Sequence, residues 1–217
     1  MTLGVVQTAT FTLVSLLLAF SFSLALSRYE ARRALVARET NAVGTAILRA
    51  DLLPPMLRDS ARDLLRQYVE ARIGYLSGNG HSEARAAAAV RTDALQQRLW
   101  RLAVGAQAAD ARSTSTPLFI QAVNDAIDVS SLQRGALAAH IPDSIILILI
   151  GVVLTAGVLF GFTCRSARTA TLPLVALALV FGVVIATIVD LDQPQSGWIR
   201  VDLTAVRSVQ NLLPPTK

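Results

Sequence analysis

VVQTATFTLVSLLLAFSFSLALSRYEARR, residues 5–33, is the stretch whose reading decides the fold. Val5 to Leu26 is a run of about 22 residues without a charge. At roughly 1.5 Å per helical residue it spans the ~30 Å hydrocarbon core of a bilayer. Ser27-Arg28-Tyr29-Glu30-Ala31-Arg32-Arg33 follows with no helix breaker. The expectation is one rod that crosses the membrane and continues into water, carrying guanidinium groups at its exit. Met1-Thr2-Leu3-Gly4 lacks a basic segment and the apolar run exceeds ~15 residues, so this is read as a retained span and not as a cleaved leader.

Composition agrees. Only 16% of the 217 residues are charged, and the mean hydropathy is +0.51, too apolar for an ordinary soluble domain. The net charge is +5, and the positive charge is almost all arginine, because the only lysine is Lys217. These arginines flank spans or alternate with acids along helices, and no basic patch carries stacking aromatics. Nucleic acid is therefore not an expected partner. The single cysteine, Cys164, excludes an intrachain disulfide and a multi-cysteine metal site, and His81 and His140 lie far apart. No metal or cofactor is expected. A phosphate loop and a nucleophile–histidine–acid arrangement are both missing, so an enzyme is not expected.

Two further apolar runs, Ile145 to Phe162 and Thr171 to Val189, flank the short Thr163–Arg168 connection and read as a transmembrane hairpin. Their glycines, Gly151, Gly157, Gly161 and Gly182, suit close helix approach. None of the three runs holds Asp, Glu, Lys, Arg or His, which disfavours a proton-coupled transporter. Arg28, Arg32, Arg33 and Arg38 follow the first span, and none precedes it. That asymmetry places the N-terminus outside and both the central region and the C-terminus in the cytoplasm of a bacterial inner-membrane protein. Arg165 and Arg168 in the hairpin loop run against this. The organisation expected is a first span continuing as a cytoplasmic rod (1–50), a cytoplasmic helical region (51–142), the hairpin (143–190) and a cytoplasmic tail (191–217).

Within the central region Leu53-Pro54-Pro55 breaks the rod, and Pro55 suits the first turn of a second helix. There Leu57, Leu64, Leu65, Tyr68, Val69 and Ile73 share a side. Gly78-Asn79-Gly80 ends it. Ser82 is an N-cap candidate for a helix reaching about Ala109, and Thr116-Pro117 opens another to about Ser131. The fold class is all-α, an integral membrane helical protein with about three transmembrane helices and a helical cytoplasmic region.

Leu16 to Tyr29, an aliphatic and aromatic run ending in Ser-Arg-Tyr, resembles the pore helix of bestrophin anion channels. Arg38 to Pro54 (RETNAVGTAILRADLLP) looks like the bacterial bestrophin-like membrane family, and Leu191 to Val201 is similar to that family's LDxPxxGxIxV signature. The resemblance implies a homo-oligomer, a pentamer by likeness, embedded in lipid and passing small anions. Aligned on Arg28, it puts an apolar constriction at Thr12, Leu16 and Phe20, which fall one helical turn apart. Such a ring gates by dewetting. The alternative is that these residues face lipid or pack against neighbouring helices.

A second stripe, Thr8, Thr12, Ser15, Ala19, Ser23 and Ser27, borders either a water-filled channel, offering O–H donors, or a close helix contact. Arg28, Arg32 and Arg33 either draw anions to the inner mouth or simply fix topology against lipid phosphates. Asp190 and Asp192 are positioned to pair with them; with no oxygen-rich loop beside them, the two carboxylates are weak evidence for calcium. His140 reads as a surface residue at a helix end, and Asn124, Asp125 and Asp128 as a polar helix face. Two functions remain open: a passive anion channel lined by the first helix, and a non-conducting scaffold whose cytoplasmic helices bind a protein partner.

Overall fold

The computed structural model describes residues 2–77, 82–163, 167–193, 197–199 and 201–213, and all regular structure among them is helical. The helices are α1 (Thr2–Ala50), α2 (Pro55–Ser77), α3 (Ser82–Ala109), α4 (Thr116–Ala138), α5 (Asp143–Thr163), α6 (Ala167–Asp192) and α7 (Thr204–Gln210). Three helical segments are long and apolar enough to cross a membrane, and their apolar windows lie in α1, α5 and α6. The Gly78–Gly80 turn, the Ser82 side chain and Cys164–Ser166 lie outside the described residues.

α1 is one helix of 49 residues because nothing in it interrupts the ladder. It stops where Pro54 forbids a further turn. Asp51, Leu52 and Leu53 tighten onto the carbonyls of Leu48, Arg49 and Ala50 at 3.1–3.3 Å, and Leu53 is buried.

The chain divides into two compact units. One contains residues 1–30 and 139–199, the other 31–138 and 200–217. In the first, Val14, Leu18 and Ala25 of α1 pack with Ile141, with Leu149 and Ala156 of α5, and with Ile188 and Leu191 of α6. In the second, the C-terminal half of α1 contributes Val36, Val43, Ala46 and Ile47. These meet Leu64, Leu65 and Tyr68 of α2, Leu95 and Leu99 of α3, and Phe119 and Val123 of α4. Spacings of three and four along α1 put each set on one side.

Several expectations change. α4 runs seven residues past Ser131, because Gln133 and Leu137 are buried and hold the last turns. The C-terminal tail carries a further helix: α7 buries Val206 and Val209, and with Leu213 they join the second unit's core. The hairpin helices begin before and end beyond the apolar runs, so Asp190 and Asp192 sit in the last turn of α6. Gly151, Gly157, Gly161 and Gly182 mark no close approach within the protomer. A Cβ built on any of them meets no atom within 4 Å.

Candidate functional site

In the first unit α1 has one covered and one open side. Val14, Leu18 and Ala25 are buried, whereas Thr12, Leu16 and Phe20 centre about half a turn of the helix away. Leu16 is 50% and Phe20 65% exposed. Thr8, Ser15, Ala19, Ser23 and Ser27 are exposed as well, so both stripes lie on the open side. The threonine hydroxyls are already committed. Thr8 Oγ1 donates to the Gly4 carbonyl at 3.0 Å and Thr12 Oγ1 to the Thr8 carbonyl at 2.9 Å. Each therefore presents an oxygen lone pair and a methyl outward, and not the O–H donor expected for an anion.

The arginines divide among three environments. Arg28 is partly buried and turns towards Asp192, Nη1 to Oδ1 at 3.7 Å. Arg32 is 1% exposed, and Arg33 is exposed. Arg28 and Arg32, four residues apart, share a face of α1, whereas Arg33 advances about 100° beyond Arg32 onto an exposed one.

Asp192 organises the C-terminal end of α6. Its two carboxylate oxygens accept from the Ile141 N–H at 3.1 and 3.0 Å, and His140 Nδ1 stands 3.5 Å from Oδ2. A buried carboxylate so placed fixes the segment leading into α5. Asp190 performs a similar task on the chain leaving α6. It accepts from the Trp198 N–H at 2.7 Å and the Ile199 N–H at 2.9 Å. Gly197 fits only as glycine, because a Cβ there would lie 2.7 Å from Asp190 Oδ1 and 2.8 Å from its carbonyl oxygen. Two positions of the LDxPxxGxIxV pattern thus acquire a physical reason; Pro194, Gln195, Ser196 and Arg200 lie outside the described residues. Both carboxylates are occupied by backbone N–H groups, and no group of three or more metal-ligating side chains occurs among the described residues.

The second unit holds a buried polar cluster that sequence reasoning missed. Arg72 Nε donates to Glu39 Oε1 at 2.5 Å and Nη2 to Oε2 at 2.9 Å. Tyr68 donates to Glu39 Oε1 at 3.0 Å, and Gln133 accepts from Arg72 Nη2. Glu39 is 4% and Arg72 1% exposed. Burial pulls the Arg72 pKa down, but the hydrogen bonds and charge of Glu39 outweigh it and raise it above its ordinary value. Burial, reinforced by the Glu39 charge, raises the Tyr68 pKa well above its ordinary range. A signal was present: Glu39 falls on the same side of α1 as Val36 and Val43, and Arg72 on the same side of α2 as Tyr68 and Val69. Asn124 and Asp128 form an exposed pair, Nδ2 to Oδ2 at 2.9 Å, as a polar helix face should.

A family model described as a Bestrophin-like domain matches residues 2–206. No curated protein matches the chain. Among solved structures, the fold is similar to a bacterial bestrophin homologue from Klebsiella pneumoniae, with TM-score 0.75 and 15% identity over 95% of this chain and 84% of that one. It is equally similar to a crystal structure described as a membrane protein, with TM-score 0.76 and 14% identity over 95% and 84% of the two chains. At such identities the likeness is one of fold.

Proposed function

Because this chain belongs to the bestrophin-like family of membrane proteins, we propose that copies of it assemble around an axis as a passive ion channel lined by α1. The resemblance implies small anions as the permeant species and a pentamer as the assembly. The observation that carries the reading is the uncovered side of α1. It bears Thr8, Thr12, Ser15, Ser23 and Ser27 beside Leu16 and Phe20, while the opposite side packs against α5 and α6. A row of small and hydroxylated side chains suits contact between copies, or an axis they share, better than lipid. Leu16 and Phe20 from each copy would form an apolar constriction that conducts only when wetted.

The arginines after the first span favour an orientation with the N-terminus outside and α2, α3, α4 and α7 in the cytoplasm of a bacterial inner-membrane protein. Planar-bilayer recording of the purified full-length protein tests the reading. Current in symmetric salt is expected, with Phe20→Ala raising unitary conductance or altering selectivity. A silent bilayer over a range of voltages and ions, together with a stoichiometric soluble partner bound to the helical region, would instead support the scaffold.

A further inference from the structure

We propose that Glu30, and not the arginines around it, sets the charge selectivity at the inner end of the span, disfavouring anions and favouring small cations. The inference rests on α1 lining the channel. Glu30 follows Thr12 by 18 residues, about five whole helical turns, so the two lie in line on the open side. Ser23 falls on the same line, seven residues before Glu30. Glu30 is exposed, and no cation lies within ion-pair distance of it among the described residues.

The arginines have different bearings. Arg28 and Arg32 stand 16 and 20 residues from Thr12, which turns them about 160° away, towards the covered side. Burial agrees, since Arg28 is held near Asp192 and Arg32 is 1% exposed. Arg33, exposed and three residues beyond Glu30, lies about 60° off the line in register with Ser15, so its charge partly offsets the carboxylate. Arg38 returns to the open side about 12 Å further along the helix, more than a Debye length of about 8 Å from Glu30. From Val5 onwards, the first full charge on the open side is therefore a carboxylate.

Copies around an axis convert that carboxylate into a ring. Such a ring below an apolar constriction concentrates cations and repels anions. The mouth would thus run against the anion preference that the family resemblance implies.

Reversal potentials under a potassium chloride gradient test this, using full-length protein, Glu30→Gln and Arg33→Gln. Glutamine keeps the shape of an exposed side chain, and unchanged elution in detergent confirms assembly. Cation preference is expected for the parent, with a several-fold fall in the potassium-to-chloride permeability ratio for Glu30→Gln and a smaller rise for Arg33→Gln. Anion preference in the parent, or an unmoved reversal potential in a conducting Glu30→Gln, overturns the inference alone. Absence of current from every protein overturns the channel reading, and this inference falls with it.

Discussion

Replacing Arg72 by methionine removes one half of the buried pair while keeping an apolar stem of similar length. Glu39, 4% exposed in the parent, would keep Tyr68 as its only donor among the described residues. Orphaning a buried charge in this way costs about 3–5 kcal/mol. For a chain of this size each kcal/mol moves the midpoint by about 2–4 °C, so a fall of about 6–20 °C is expected. Removing both charges, as Glu39→Leu with Arg72→Met, should return the midpoint to near the parent's, because an apolar replacement of a buried pair is often neutral or stabilising. Thermal melts of the purified full-length protein in detergent check this. Trp100 of α3 reports on the second unit, provided Trp198 is replaced by phenylalanine in every protein compared. The reasoning fails if Arg72→Met melts within about 2 °C of its parent, or if the double variant loses as much as the sum of the two singles.

Gly197→Ala should disrupt the Asp190 clamp, since its Cβ would press on both a carboxylate and a backbone oxygen. A loss of about 1–3 kcal/mol is expected in the same melts, against little change for alanine at Gly182, where nothing lies within 4 Å. Asp192→Asn removes the charge that receives the Ile141 N–H and faces Arg28, and should cost about 1–3 kcal/mol. Retention of the parent's melting temperature would show that these contacts are dispensable. Tyr68 should stay neutral through pH 10, its ordinary midpoint, because burial raises its pKa in the folded protein. The stability it contributes is complete below that pH and is lost only as pH rises towards the raised folded value. Absorbance at the tyrosinate band in Tyr68→Phe should therefore match the parent at pH 10 until unfolding. Cys164, the sole cysteine, sits in the α5–α6 connection and should react with an impermeant maleimide from outside intact cells. Labelling only after lysis would reverse the proposed orientation.

The sequence by itself determined the helices and the three spans. Pro54-Pro55 ends α1 and starts α2 through local backbone geometry, and an uncharged run of sufficient length has few destinations but a bilayer. Family membership was legible in the same way, from short runs such as RETNAVGTAILRADLLP. Only the tertiary structure decided which side of α1 is covered. Leu16 and Leu18 are the same residue type, yet one is 50% exposed and the other 6%. A membrane span lacks the polar face that water imposes on a soluble helix, so its periodicity does not mark the packed side. For that reason the direction taken by Arg28, Arg32 and Glu30 could not be read from their spacing to the span alone. The Glu39–Arg72 pair and the docking of α7 were hidden for another reason. Each joins residues far apart in sequence, and only the assembled core supplies the burial that gives those contacts their energy.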